Sequence, residues 1–101
     1  MKKTDPPRKE LILSPRFKRD MKKFRNQIDV LKELQEIVNL LLNGQVLPQK
    51  YKAHKLKGNY AGHLECHVEN DLLLIWYDQI TNQINLVRFG THSELFSKKH
   101  K

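Results

Sequence analysis

The sequence predicts an α+β fold in which two N-terminal helices pack on one face of a four- to five-stranded antiparallel sheet. Apolar residues recur about every 3.6 positions in the first half of the chain, and they alternate with polar residues after Pro48. The 101 residues, of which 39% are hydrophobic, suit one domain with a single core. We therefore expect one domain over residues 10–97, between a flexible basic arm at 1–9 and a basic tail at 98–101.

Two helices are expected in the first half of the chain. A short strand at Glu10–Leu13 leads into the first helix, where Ser14 offers a capping oxygen and Pro15 suits the first helical position. Apolar residues then keep helical spacing through this helix and a longer second one: Phe17, Met21, Phe24, Ile28, Leu31, Leu34, Val38, Leu41 and Leu42. Asn43 and Gly44 favour the left-handed conformation that closes a helix, so the second helix should end there.

Four strands are expected after Pro48. The alternating pattern places them near residues 53–56, 63–68, 72–77 and 84–89, and a short helix or turn follows around 93–96. Residues that favour turns separate these segments: Gly58, Gly62, Asn70 and Asn82.

The charge of the chain favours a polyanionic partner. The 19 Lys and Arg residues against 11 Asp and Glu give a formal net charge of +8, which attracts nucleic acid through electrostatics and counterion release. Solubility, an anionic lipid or an acidic protein partner would also account for such a charge. Charge alone therefore leaves these alternatives open.

The cysteine content and the hydropathy pattern indicate the cellular compartment in which the protein is expected. Cys66 is the only cysteine, which excludes an intramolecular disulfide and a cysteine-rich zinc site and is typical of a reducing compartment. The first residues have no apolar run after their charges, and no segment approaches the roughly 20 apolar residues of a membrane span. We therefore expect a cytoplasmic protein without a membrane partner.

Strand alternation assigns the residues of the segment 63–68 to two faces of the sheet. Leu64, Cys66 and Val68 should face the helices. Glu65 and His67 should then lie on the uncovered face, where a ligand could reach them, with Asp71 just past the following turn.

A zinc site is a competing interpretation of this segment. His63, Cys66 and His67 have a suggestive spacing, but Cys66 and His67 are adjacent and point to opposite faces of a strand. Each histidine taken singly is more typical of an exposed polar residue. Cys66 and Trp76 are expected to fill space in the core.

Three motifs carry a resemblance to a known family. They cover residues 51–58 (YKAHKLKG), 62–75 (GHLECHVENDLLLI) and 88–96 (RFGTHSELF). Their order and spacing resemble the YafQ branch of the RelE/ParE toxin superfamily, from about residue 13 to residue 96. The pattern departs from that of relatives near the second motif, where this chain has Tyr60, His63 and Leu64 and where Asn70 replaces a common proline.

The resemblance implies a RelE-like fold and a bacterial type II toxin. Such a toxin is an mRNA interferase that enters the ribosomal A site and cuts messenger RNA, and a cognate antitoxin, here expected to be acidic, silences it. Oligomers would form through the antitoxin. Carried over from the motifs, the catalytic surface comprises His54, His67, Asp71, His92 and Phe96.

RNA supplies its own nucleophile, so such a site is expected to need no metal or other cofactor. The enzyme must remove the proton of the 2′-hydroxyl, stabilise charge on the pentavalent phosphate and protonate the leaving 5′-oxygen. Histidine suits both proton roles near neutral pH. We assign His92 as the general acid, His54 or Asp71 as the base, and His67 as a phosphate contact.

Two residues of the third motif are candidates for RNA binding. Arg88 cannot lose its charge and could clamp the scissile phosphate, or it could be a surface arginine. Phe96 could stack against a base, or it could cap the core.

Two other functions remain open on the same fold. One is a non-enzymatic inhibitor like those of the ParE branch, and the other is a basic RNA-binding module. An inhibitor has no use for His54, His67 and His92 as a group. A binding module would keep its affinity for RNA if these histidines were removed.

Overall fold

Residues 8–96, which the computed structural model describes, form one five-stranded sheet and three α-helices. The strands are β1 (Glu10–Leu13), β2 (His54–Lys55), β3 (Leu64–Glu69), β4 (Leu72–Tyr77) and β5 (Gln83–Thr91). The helices are α1 (Pro15–Met21), α2 (Ile28–Leu42) and α3 (His92–Phe96). Short 3₁₀ helices occur at Lys22–Phe24, Gln49–Tyr51 and Gly58–Tyr60.

The sheet has the strand order β1-β5-β4-β3-β2 and is mixed. The pairs β2/β3, β3/β4 and β4/β5 are antiparallel, but β1 runs parallel to β5, from Glu10 opposite Gln83 to Leu13 opposite Leu86. The prediction of an antiparallel sheet is therefore wrong at this edge. Alternation shows which side chains share a face, but it does not show in which direction the neighbouring strand runs. A connection that contains helices allows two strands to pair in parallel.

The predicted capping residues lie at the ends of the helices. Ser14 Oγ accepts a hydrogen bond from the Phe17 N–H at 3.0 Å and donates one to the Val87 carbonyl at 2.9 Å. This cap also ties α1 to β5. At the other end of the helical region, Asn43 follows α2 and Gly44 has a φ of +71°, the left-handed conformation expected there. Both capping predictions are confirmed.

The larger core lies between the helices and one face of the sheet, which we call the helix face. It contains apolar residues from both helices and from the strands: Phe17, Phe24, Val30, Leu34, Ile37, Cys66, Leu74, Trp76, Ile84, Leu86 and Phe89. Cys66 is fully buried, and this burial raises the pKa of its thiol to about 12. Cys66 and Trp76 therefore fill space in the core, as predicted.

The opposite face, which carries Leu73 and Ile75 and which we call the site face, has a smaller core of its own. Leu73 and Ile75 are buried together with Leu95 of α3, and four half-buried residues pack around them: Leu56, Tyr60, Val87 and Phe96. The face that was expected to be uncovered is thus partly covered by α3 and by the Gly58–Tyr60 turn.

The predicted basic arm and basic tail fall mostly on residues 1–7 and 97–101, which lie outside the described residues. The last two positions of the arm contact α2 and its C-terminal end. Lys9 donates its backbone N–H to the Leu42 carbonyl at 2.9 Å, and Arg8 Nη2 donates to Asn39 Oδ1 at 3.2 Å. Between residues 8 and 96, no helix combines the length and the apolar content that a membrane crossing requires.

Candidate active site

Cross-strand pairing arranges the side chains of the site face in rows. Residues that lie opposite each other on neighbouring strands point to the same face, so the register defines the rows. The first row is His67, Leu73 and Gly90; the second row is His54, Glu65, Ile75 and Arg88; the third row is Tyr77, Asn85 and Ile12. The register therefore brings His54, His67 and Arg88 to one face.

His54 has both ring nitrogens engaged. Nδ1 lies 2.8 Å from the carbonyl oxygen of Lys52, and Nε2 lies 2.9 Å from Oε1 of Glu65. Because a carbonyl oxygen can only accept, Nδ1 must carry a proton and donate it. The contact between Nε2 and Glu65 then requires a second proton. Either His54 is an imidazolium beside the Glu65 carboxylate, or its neutral ring accepts a hydrogen bond from the protonated acid. Neither form leaves His54 a nitrogen that is free to accept a proton from a substrate.

Glu65 is buried, with 5% of its surface exposed. The prediction that a ligand could reach it is therefore wrong. Alternation assigned its side chain to the correct face but could not reveal what lies around that side chain. Its Oε2 atom is buried without a hydrogen-bond partner among residues 8–96. An unpaired buried carboxylate oxygen is costly, so the contact with His54 matters for the stability of the fold.

His67 lies beside His54, with 6.4 Å between the ring centroids. It is half-buried, and its Nδ1 is 3.5 Å from the carbonyl oxygen of Asn70 in the turn between β3 and β4. This contact favours a proton on Nδ1. It leaves Nε2 without a hydrogen-bond partner in the described part of the chain. Of the two neighbouring histidines, His67 is therefore the one better placed to accept a proton.

Asp71 and Phe96 both lie beside His92, the first residue of α3. Asp71 Oδ1 accepts a hydrogen bond from the backbone N–H of His92 at 3.4 Å. The His92 side chain is exposed, and its ring centroid is 5.0 Å from that of Phe96. Phe96 packs against the smaller core but remains half-exposed. It therefore caps a core, as one interpretation expected, and it still offers ring surface to a ligand.

Two reciprocal hydrogen bonds fix the start of α3. Thr91 Oγ1 accepts from the Glu94 N–H at 3.2 Å, and Glu94 Oε1 accepts from the Thr91 N–H at 2.9 Å, which is a capping box. The Thr91 N–H and the Lys23 ammonium, 3.3 Å from Oε2, hold the pKa of Glu94 below its ordinary value. Gly90 leaves room for this carboxylate, because a Cβ there would lie 2.7 Å from Glu94 Oε1.

Arg88 forms a two-point ion pair with Asp20 of α1. Nε is 2.8 Å from Oδ2 and Nη2 is 3.1 Å from Oδ1, while the Phe89 N–H also donates to Oδ2 at 2.9 Å. The hydrogen bond to Asp20, with a smaller contribution from Tyr60, raises the pKa of Arg88 above its ordinary value. The Arg88 side chain is only 12% exposed. The interpretation of Arg88 as a surface arginine is therefore wrong, and its role as a phosphate clamp stays a prediction.

Three residues that shape the site were not singled out in the sequence. Thr91 and Glu94 had a signal, because Thr-x-x-Glu ahead of apolar residues is the pattern of a capping box. Asp20 had no such signal in the sequence, because its partner Arg88 is 68 positions away in the chain.

The residues of the suggested zinc motif do not converge. Cys66 belongs to the core on the helix face, whereas His67 points to the site face. Within the range 8–96, no three His, Cys, Asp or Glu side chains are placed so that they could hold a metal ion.

Sequence comparisons place the chain among known toxins. Residues 9–97 match the family model of the YafQ toxin, a bacterial toxin of type II toxin-antitoxin systems. The mRNA interferase toxin YafQ of Escherichia coli strain K12 is 32% identical over 89 residues, which cover 87% of this chain and 96% of that protein.

Solved structures of similar toxins share the fold. A chain of the E. coli DinJ-YafQ complex has a TM-score of 0.78 at 30% identity, and the match covers 88% of this chain and 99% of that one. A metal-bound toxin from Helicobacter pylori has a TM-score of 0.79 at 39% identity, with 87% and 99% covered. The chain therefore belongs to the YafQ family of toxins of bacterial type II toxin-antitoxin systems.

Proposed function

We propose that this chain is an mRNA interferase, an endoribonuclease that cleaves messenger RNA on the ribosome and that a cognate antitoxin holds inactive. The observation that carries the proposal is the placement of His54 beside His67 on the site face and of Asp71 against His92 at the start of α3. Family membership supports the same activity, because the E. coli relative is an mRNA interferase toxin and occurs in a toxin-antitoxin complex.

Cleavage of RNA in this way takes place at one phosphodiester. The 2′-hydroxyl gives its proton to a base while its oxygen attacks the phosphorus. The bond between phosphorus and the 5′-oxygen breaks, and that oxygen takes a proton from a general acid. The products are a 2′,3′-cyclic phosphate and a 5′-hydroxyl, so the step consumes no further reactant.

The ring nitrogens favour a definite assignment of the proton roles. His92 acts as the general acid, because its ring is exposed at the start of α3. His67 acts as the base through Nε2. His54 has neither ring nitrogen free for the substrate, so it acts as a positioning residue beside His67. This differs from the assignment made from the sequence, in which His54 or Asp71 was the base and His67 contacted the phosphate. Asp71 is exposed and remains the alternative base.

Arg88 and Phe96 hold the substrate. Arg88 keeps its charge beside Asp20 and stabilises the negative charge that develops on the phosphate. The exposed part of the Phe96 ring stacks on a base and orients the nucleotide for attack. The H. pylori relative is a metal-bound toxin. In the mechanism proposed here, every step is assigned to side chains.

The partners follow from charge and from the family. Messenger RNA and the ribosome are polyanions that attract a chain with a net charge of +8. We expect the antitoxin to present an acidic segment that covers the basic face around the histidines, and toxin copies to assemble through it.

The test compares the wild-type chain with the triple variant His54→Ala/His67→Ala/His92→Ala. Each is induced in cells, the cuts on a translated message are mapped by primer extension, and co-sedimentation with ribosomes is measured. We expect cuts with the wild type only, equal sedimentation of both chains, and loss of the cuts when the antitoxin is added. Growth arrest without cuts by the wild type would indicate a ParE-like inhibitor, and full cleavage by the triple variant would refute the histidine chemistry.

A further inference from the structure

On the basis of the ribonuclease function proposed above, we propose that a pocket at the third row of the site face binds an unpaired nucleobase of the message that flanks the cleaved nucleotide. The pocket would give the enzyme a preference for the sequence around its cut.

The pocket lies where β1, β4 and β5 meet the turn before β3. Its volume is about 340 Å³, and its lining includes His63, Tyr77, Ile80, Asn85 and Ile12. The register places Asn85 directly between Tyr77 and Ile12, so these three side chains form the floor. Pockets of this size accept small planar ligands.

The lining has the chemistry that an unpaired base requires. Tyr77 and His63 present ring surface, with centroids 5.1 Å apart, and Ile80 is 48% exposed and forms an apolar wall. The Asn85 amide makes only a long contact of 3.5 Å with Gln83, which leaves it available to the edge of a base. Single-stranded RNA is read by this combination of aromatic stacking and amide hydrogen bonds.

A continuous series of rings connects the pocket with the proposed general acid. The ring centroids of His92 and Phe96 are 5.0 Å apart, those of Phe96 and Tyr60 are 5.9 Å apart, and those of Tyr60 and His63 are 5.6 Å apart. His63 then contacts Tyr77 in the pocket. Tyr60 packs edge-to-face against both His63 and Phe96, so these rings are in mutual contact. Aromatic side chains bind the bases of a single strand without regard to its sequence.

The distance along the sheet suits a neighbouring nucleotide. Tyr77 and Leu73 are both in β4 and are four residues apart, which corresponds to about 13 Å along a strand. Arg88, to which we assign the stabilisation of the scissile phosphate, lies in the second row between them. A strand whose scissile phosphate lies at the first two rows can therefore continue along β4 and insert a flanking base into the pocket.

The experiment measures the sequence preference of cleavage. Asn85→Leu removes the amide and keeps a similar size, Tyr77→Leu removes the ring, and Tyr77→Phe keeps it. Asn26→Leu, an exposed asparagine outside the site face, is the matched control. Each chain is induced, and the 5′ ends of all cut messages are sequenced. We expect Asn85→Leu to reduce the base preference at one flanking position by at least about 5-fold. Tyr77→Leu should lower cleavage at the preferred sites, Tyr77→Phe should retain most of the cleavage that Tyr77→Leu loses, and Asn26→Leu should match the wild type.

A second measurement separates this proposal from the proposed function. The His92→Ala chain is titrated with a short unpaired oligoribonucleotide and followed by NMR. Shifts at Tyr77, Ile80 and Asn85 would support the pocket even if the wild type cuts no message. The proposal is overturned if these signals do not move, or if Asn85→Leu keeps the wild-type preference. It is also overturned if Asn85→Leu loses only its binding to the antitoxin, because the pocket would then be a protein-docking surface.

Discussion

The second row of the site face and the start of α3 hold their proposed catalytic groups by different means. In the second row, His54 pairs with a buried carboxylate, and Arg88 pairs with Asp20. At α3, His92 is held through its backbone, by the hydrogen bond to Asp71 and by the capping box, and its ring is exposed. Changes in the second row should therefore alter stability and activity together, whereas changes at His92 should alter activity alone.

The largest expected effect is on cleavage in His92→Ala. A general acid typically contributes about 10² to 10⁴-fold in rate, so cleavage of a translated message should fall by that factor. Unfolding in urea should change by less than about 0.5 kcal/mol, because the side chain is exposed. Ser93→Ala, the next residue in α3, is the control and should cut at the wild-type rate. If His92→Ala cleaves at the wild-type rate, His92 is not the general acid.

The next largest effect is on stability in Asp20→Ala. The change leaves the Arg88 guanidinium and the Phe89 N–H without their acceptor, and breaking a buried ion pair costs about 3 kcal/mol or more. Urea unfolding gives this value, and cleavage should also decrease because Arg88 loses its orientation. Asp29→Ala, an exposed aspartate of α2, should cost about 0.5 kcal/mol. Equal stability of the two variants would show that the pair does not stabilise the fold.

A smaller effect is expected for His54→Ala, which leaves Glu65 buried without its partner. An unsatisfied buried group costs about 1–3 kcal/mol, and cleavage should fall as well. The double variant His54→Ala/Glu65→Leu removes both polar partners and should recover most of that stability, but not the activity. If the double variant is less stable than His54→Ala, the pairing is not the source of the loss.

The smallest effect is expected for the cap of α3. Glu94→Ala should cost about 1 kcal/mol, whereas Glu94→Gln can still form a capping box. Because the fold lowers the pKa of Glu94, its stabilisation is present above its unfolded value of 4.5 and is lost as the pH falls through the lower folded value. The difference in stability between the wild type and Glu94→Ala, measured by urea unfolding between pH 7 and pH 3, should therefore shrink on acidification. A difference that is constant with pH would contradict this account.

The faces of the strands could be predicted from the sequence because alternation is a local property. Cys66 and Trp76 lie on the helix face, and His67 lies on the other face, as two-residue periodicity requires. The caps at Ser14 and Gly44 were predictable for the same reason, since each depends on a few neighbouring residues.

The features that could not be predicted depend on partners that are distant in the chain. The parallel direction of β1, the burial of Glu65 and the pairing of Arg88 with Asp20 all arise from contacts between remote segments. No local pattern encodes them. The motifs indicated His54 as a candidate catalytic residue. Only the geometry of its two ring nitrogens shows that neither is free to accept a proton from a substrate.

The parallel pairing of β1 with β5 has a consequence for the order of folding. The hydrogen bond from Ser14 to Val87 joins residues 73 positions apart, and such long-range contacts form late because a large loop must close first. During synthesis, β1 and both N-terminal helices leave the ribosome well before β5 does. The sheet edge and the Arg88–Asp20 pair therefore stay incomplete until β5 has emerged. We propose that this nuclease acts on ribosomes. Its own site is complete only after residues 10–96 of the chain have left the ribosome that makes it.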